Sequence, residues 1–390
     1  MSTRPNQPSG RRRETTRPMD APQVLVGRTL EGRYRLDEVL NTGGMGIIFS
    51  ATQLSIGRRV AVKILRPSLT KNPSLVERFQ LEVETVAQIA HPNVVKLIDT
   101  GRDSTGLTYL VMEFVEGKTL RQALRHRELR LSDILRVFAQ VCDALIETHG
   151  QQIIHRDLKF DNIMIQRMRD GTIHVKLLDF GVAKLLSQDH NLTEGGQVAG
   201  TPAIVAPELV DGAEPTARSD LYSLGVLLFA SFAGRLPFTA DNDLELMRAH
   251  KTEPLPNLRK IVGDQVPEEV VDLTYELLAK DPSHRPRSAH ATARRLRRMA
   301  DRFDEQFPDA TAYVPPESVA LEQTPEKIEK ISGIKPIDTD DGNGNRNGGG
   351  LFGRLFSRRV VAPMSVVAGL FSILMILVIA LIYFLYQELM

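Results

Sequence analysis

Two stretches decide how this chain is read: His155-Arg156-Asp157-Leu158-Lys159-Phe160-Asp161-Asn162, and Asp179-Phe180-Gly181 directly after an expected strand at 175–178. Within about 25 residues they gather an aspartate, a lysine two positions on, an amide and a second aspartate. Any one of these is explained by a helix cap or a solvated surface. Together and in this order they match a specific chemistry. Phosphoryl transfer needs a carboxylate to orient an attacking hydroxyl, hard oxygen ligands for Mg²⁺ and a cation beside the moving phosphate. Asp157 supplies the first, Asn162 and Asp179 the second, Lys159 the third.

Upstream, Leu40-Asn41-Thr42-Gly43-Gly44-Met45-Gly46-Ile47-Ile48 joins two short apolar runs. Glycines there let the backbone approach an anion with its N–H groups, although a plain hairpin turn would read the same way. Val60-Ala61-Val62-Lys63 then places a lysine on an inward-facing strand, where a cation needs a partner. Glu82 is the expected counter-ion. It lies on a helix opened by a Ser74/Glu77 capping box, with Leu75, Phe79, Val83, Val86 and Ala90 at helical spacing. Strands are expected over 34–40, 47–50, 59–65, 94–100 and 108–114. After Gly117 the period turns helical: Ile134, Val137, Phe138, Val141 and Leu145 make one stripe, and 221–232 is apolar nearly all round, as a buried helix is. A strand-rich part thus meets a helix-rich part across a cleft.

With these motifs in place, the chain resembles the eukaryotic-like (Hanks-type) Ser/Thr protein kinases, in their bacterial membrane-anchored branch, over about two-thirds of its length, from Tyr34 to Arg298. The resemblance implies an α+β, bilobal protein kinase fold: a small antiparallel sheet lobe with one helix and a larger helical lobe, domain limits 27–303. It implies that ATP is bound by Gly43, Gly44 and Gly46 over the phosphates, with Leu40, Ile48, Ala61 and Met164 around the adenine. Met112 is then the gatekeeper, and the Glu113 carbonyl and Val115 backbone form the hinge. Lys63, held by Glu82, takes the α/β-phosphates; Asp157 is the catalytic base with Lys159 beside it; Asn162 and Asp179 hold Mg²⁺, or Mn²⁺ in its place. Thr201 is expected to bond Asp157 and Lys159, Glu208 to pair with Arg285, and Asp220 to brace the catalytic loop. Arg156 before the base goes with control by phosphorylation of the loop 182–206, where Thr193, Ser187 and Thr201 are candidates. Three residues depart from the family pattern. Asn41 replaces a glycine and is expected to exploit the tolerance of asparagine for positive φ. Phe160 replaces a proline, leaving the backbone freer. Ala203-Ile204-Val205 lacks the usual aromatic.

Composition narrows the rest. In 390 residues, 49 Lys+Arg balance 48 Asp+Glu, which argues against nucleic acid as a partner. The single cysteine, Cys142, excludes a disulfide scaffold and a cysteine-rich zinc module, and the histidines other than His155 show no metal-ligand spacing. Residues 1–26 are Arg/Pro-rich without an apolar signal segment and are expected to be a disordered basic tail. Residues 304–359 read as a flexible linker, with 11 acidic against 4 basic residues over 301–345 and a Gly/Asn run at 342–350. Residues 360–386 are 27 consecutive positions without a charge, about 40 Å as a helix. With Arg354, Arg358 and Arg359 on one side only, they read as a single-pass C-terminal membrane anchor that leaves the kinase domain cytoplasmic and 387–390 outside. A linker of about 50 residues reaches roughly 40 Å, so neighbouring copies would phosphorylate one another in trans at the bilayer, besides their protein substrates. A catalytically weak scaffold with the same fold is the alternative; such proteins usually lose the strand lysine or a loop aspartate, and none is lost here.

Overall fold

A computed structural model describes residues 22–44, 46–66, 83, 86–179 and 202–316. Alternation builds the first lobe. In β4 (Arg58–Leu65) the side chains of Val60, Val62 and Ile64 are fully buried on one face, while Ala61 and Lys63 share the other. The strand is central to a six-stranded sheet in the order β1-β2-β3-β4-β6-β5, antiparallel throughout, with β1 at Thr29–Leu30, β2 at Tyr34–Gly43, β3 at Gly46–Gln53, β5 at Leu97–Arg102 and β6 at Thr108–Glu113. Ile47, Phe49, Val60, Val62, Tyr109 and Val111 join on the outer face as the core of this lobe. The opposite face, with Ile48 across from Lys63 and Ala61 across from Met112, is left for the cleft.

The second lobe begins with β7 (Lys118–Thr119) and two helices, α1 (Leu120–Arg125) and α2 (Leu131–Gly150). Thr119 and Gln122 form a reciprocal cap on α1. The strand β8 (Ile163–Arg167) pairs with β7 on one side and β9 (Ile173–Leu177) on the other in a three-stranded antiparallel sheet below the cleft. There follow α3 (Pro207–Val210), α4 (Ala217–Ala233), α5 (Asp243–Thr252), α6 (Leu258–Val262), α7 (Glu268–Leu277) and α8 (Ala289–Gln306). From Ser219 to Ala233 every residue of α4 except Ser223 is buried, so this helix is the axis of the lobe. Gly225 is what lets α7 approach it: a Cβ there would stand 2.7 Å from the Leu277 Cβ. Arg136 on α2 donates to Asp301 and Asp304 at 2.8 and 2.5 Å and fastens α8.

Several boundaries need correcting. Leu25 is 1% exposed and lies in the sheet-lobe core, within a 3-10 turn at Pro22–Leu25, so the ordered chain starts earlier than a tail over 1–26 allows. The linker likewise does not start at 304: α8 runs to Gln306, and Tyr313 donates its N–H to the Leu129 carbonyl (2.8 Å) and its hydroxyl to the Phe232 carbonyl (2.9 Å). Its ring packs edge-on against Phe232 at 5.6 Å, closing the end of α4. The fourth expected strand starts at 97, because Val94 is drawn into a parallel bridge with Leu177 of the other lobe. Among the described residues no helix is long and apolar enough to cross a membrane. The anchor at 360–386, the rest of the linker, residues 1–21, the helix carrying Glu82 up to that residue and the loop 180–201 all lie outside the described residues.

Tyr313→Ala is expected to lower stability in urea unfolding by about 3–5 kcal/mol, the range for emptying a buried aromatic site. Tyr313→Phe removes only one hydrogen bond and is expected to cost about 1 kcal/mol. A fragment ending at 303 should melt below one ending at 316.

Candidate active site

The cleft residues are brought together by the catalytic loop between α2 and β8 and by the end of β9. Asp157 is 6% exposed, and its Oδ2 accepts from Lys159 Nζ at 2.9 Å and Asn162 Nδ2 at 3.2 Å. Asn162 Nδ2 also donates to the Asp157 carbonyl at 2.9 Å. With its amide nitrogen committed to Asp157, Asn162 has its Oδ1 to offer a cation. Lys63 Nζ crosses the cleft to Asp179 Oδ1 at 2.9 Å, with side-chain exposures of 11% and 19%. Glu82, the expected counter-ion, lies outside the described residues; within them, the ion pair of Lys63 is with Asp179.

Backbone hydrogen bonds fix these loops. Leu178 N–H donates to the Asn162 carbonyl (2.7 Å), and the buried His155 ring donates from Nε2 to the Leu178 carbonyl (3.0 Å) while its Nδ1 accepts the Asp157 N–H (3.2 Å). The carboxylate of Asp220, on the first turn of α4, accepts the N–H groups of His155 (2.8 Å) and Arg156 (3.0 Å). This is the brace the resemblance implied. Arg156 and Asp179 both have positive φ, 63° and 44°, in side chains that rarely adopt it.

At the glycine turn, the three glycines are not equivalent. A Cβ on Gly46 would collide with the Ile64 carbonyl, so the sheet itself demands glycine there. Gly43 and Gly44 have no positive φ and no crowding neighbour, so no described contact demands glycine at either position. Arg66 Nε holds the turn through the Gly43 carbonyl at 3.1 Å. Asn41 needs no positive φ; it sits in β2 opposite Ile48, next to a register shift that lets the hairpin absorb it. Leu40 is 45% exposed at the cleft mouth, Ile48 and Ala61 are half-buried, and Met164 on β8 is half-buried opposite Thr119. The hinge starts where β6 ends, at Glu113. Its carboxylate accepts from the Lys96 N–H (2.8 Å) and from Lys176 Nζ (2.6 Å), which ties the hinge to β9; Val115 follows half-buried.

Phe160 does not loosen the loop. It is 3% exposed, and Arg121 from α1 lies 5.6 Å from its ring while gripping Asp161 with bonds of 2.8–3.0 Å. Linear reading missed Arg121, which is 40 residues away and has no motif of its own. Deeper in the lobe, Arg285 is 3% exposed and meets Glu208 with two bonds of 2.8 and 2.7 Å, and Ser219 adds a third to the same carboxylate. Burial works to raise the Glu208 carboxyl, and the Arg285 and Ser219 bonds outweigh it, holding it below its usual range.

The donor set fits a hard divalent cation shared with phosphate: one carboxylate (Asp179) and one amide oxygen (Asn162), flanked by Lys63 and Lys159. Against known proteins, the family model described as "Protein kinase domain" matches residues 34–296. The serine/threonine-protein kinase pkn3 of Myxococcus xanthus is 36% identical over 302 residues, covering 75% of this chain and 55% of that protein. The serine/threonine-protein kinase PknA of Mycobacterium tuberculosis is 38% identical over 268 residues, covering 67% and 60%. The chain thus spans little more than half the length of these curated relatives. The crystal structure of the Mycobacterium tuberculosis PknI kinase domain superposes with a TM-score of 0.55 at 24% identity, covering 70% of this chain and 98% of that one, which speaks for the fold.

Arg285→Ala empties a buried guanidinium site and leaves the half-buried Glu208 carboxylate without its partner, which is expected to cost about 3–5 kcal/mol in urea unfolding. The depressed Glu208 contributes stability that is present above its ordinary value of 4.5 and lost as pH falls through the folded-state value. Glu208→Gln should therefore flatten part of the acid limb of the stability profile below pH 4.5.

Proposed function

The chain belongs to the protein kinase domain family, and from that premise we propose that it transfers the γ-phosphate of ATP to Ser and Thr hydroxyls of proteins. The observation that carries the reading is the pair of ion contacts converging on one cleft, Lys63 to Asp179 and Lys159 to Asp157, with Asn162 hung on Asp157. Asp157 orients the incoming hydroxyl and takes its proton as the oxygen bonds to phosphorus and the bond to ADP breaks. Lys159, already on Asp157, lies ready to offset charge on the transferring phosphoryl group. Lys63 turns to the α/β-phosphates, and Gly43, Gly44 and Gly46 cover them with backbone N–H groups. Asn162 and Asp179 would hold Mg²⁺ or Mn²⁺, which when bound neutralises phosphate charge. Adenine would lie between Leu40, Ile48, Ala61 and Met164, read by the Glu113 carbonyl and the Val115 N–H. The choice of Ser/Thr is supported by Lys159 two residues after the base and by the relatives' printed names.

In the same reading, residues 360–386 anchor the chain in a bilayer with the kinase domain on the cytoplasmic side, supported by 27 uncharged positions flanked by arginines on one side. Thr193 is autophosphorylated in trans between tethered copies, supported by Arg156 before the base and by the spacing to Thr201.

Mg²⁺-dependent phosphotransfer by the purified chain tests the first part. Asp157→Asn should lower kcat by about 10²–10⁴-fold with ATP binding retained, and Lys63→Met should weaken both. A wild-type chain that binds ATP and transfers nothing would sink the reading. For the anchor, the full chain should stay with membranes after alkaline carbonate washing, whereas a chain ending at 350 should wash off.

A further inference from the structure

The buried imidazole of His250, on the last turn of α5, has no part in the chemistry above. It is wholly inaccessible, and both ring nitrogens are bonded: Nε2 with the Ala203 carbonyl at 3.1 Å, Nδ1 with the Tyr222 hydroxyl at 2.9 Å. A carbonyl can only accept, so Nε2 carries the proton and Nδ1 accepts from the tyrosine. Tyr222 thereby fixes the tautomer that grips Ala203. Burial, helped by the Lys280 cation, pushes His250 down to about 4, which keeps the ring neutral and this arrangement intact at physiological pH. The ring is boxed in edge-on by Phe238 (5.0 Å) and Tyr222 (5.7 Å). Lys280 closes the far side, donating to the His250 carbonyl at 2.6 Å with its ammonium 4.3 Å from the Phe238 ring. A histidine held on every side is placed to within a rotamer, and so is the carbonyl it holds.

Ala203 belongs to the 3-10 turn Pro202–Ile204 that leads into α3. The next carbonyl, of Ile204, accepts from Ser223 at 2.9 Å. Two consecutive carbonyls of this segment are therefore tied to two helices, one directly to α4 and the other through His250 to both α5 and α4. Here the sequence lacks the usual aromatic; Ile204 is 6% exposed and Ala203 half-buried. A small side chain at 203 leaves position to be set through the backbone.

We propose that His250 is a positioning residue for the protein substrate: by holding the Ala203 carbonyl it sets the backbone of the 202–206 segment on which the acceptor chain rests. This rests on the phosphotransfer reading above and on the resemblance of Gly200-Thr201-Pro202 before Ala206-Pro207-Glu208 to the segment on which Ser/Thr kinases seat the acceptor chain. Losing the anchor weakens acceptor binding and leaves nucleotide handling alone, because no ATP contact passes through α5.

The test is steady-state kinetics of the full chain with myelin basic protein as acceptor, varying acceptor and ATP separately, together with amide hydrogen exchange over 203–206. His250→Ala should raise KM for the acceptor about fivefold to tenfold, the factor for one ordinary buried hydrogen bond, with KM for ATP unchanged and faster exchange at 203–206. His250→Gln can present an amide N–H near the same place and should return acceptor KM to within about twofold of wild type. Tyr222→Phe, which frees the tautomer without emptying the site, should fall between them. An unchanged acceptor KM and unchanged exchange in His250→Ala would overturn the proposal. So would equal rises in both KM values with no rescue by glutamine, since that marks a general loss of structure. An inactive wild type whose 203–206 exchange still quickens in His250→Ala sinks the phosphotransfer reading and the substrate role with it, and leaves only the anchor.

Discussion

The carboxylate of Asp220 is where the helical lobe and the chemistry meet. It is 2% exposed, and a charge so far from water is tolerated only when donors surround it. Three do: the N–H groups of His155 and Arg156, and Nε2 of His149, at 2.8–3.0 Å. Its place on the first turn of α4 adds the favourable end of the helix dipole. The neighbouring residues divide the remaining work. Ser219 bonds Glu208, Tyr222 lies under Arg285 at 4.9 Å and bonds His250, and Ser223 bonds Ile204. Four of five consecutive residues on one buried helix thus hold the catalytic loop, the Glu208–Arg285 pair and the 202–204 segment in a single frame.

That frame carries strain. Arg156 and Asp179, both on the helical-lobe side of the cleft, adopt positive φ without being glycine. Such residues cost on the order of 1–3 kcal/mol each and persist where their surroundings over-determine them. Asp220 fixes the amide of Arg156, and Lys63 holds the carboxylate of Asp179 from the other lobe. The cleft residues are therefore aimed by contacts within the protein itself.

Much of this was legible in the linear sequence, and the reasons differ by residue. The strand alternation around Val60–Lys63 and the all-round apolar 221–232 report burial directly, because period encodes which face meets the core. That Asp157, Lys159, Asn162 and Asp179 would share one cleft was legible because several residue types recur in one order. What escaped were single contacts between distant positions. Leu25 and Tyr313 each bury one side chain beside exposed valines, which produces no period. Arg121 reaches Phe160 and Asp161 from another element, and His250 looked like any core histidine. Asn41 was misread because the hairpin it borders is longer, and its turn tighter, than the glycine run suggested.

The clasp made by Tyr313 bears on how the chain is born. Its hydroxyl meets a carbonyl 81 positions earlier, at Phe232. Ribosomes add about 5–20 residues per second, so α4 is complete roughly 4–16 s before the residue that caps its end exists. Through that interval the end of α4 lacks the edge-on ring contact and the carbonyl bond that Tyr313 supplies. A nascent helical lobe with that end unclosed is the kind of surface that chaperones recognise and that aggregates on crowded polysomes. The last dozen described residues finish the domain as well as lead out of it.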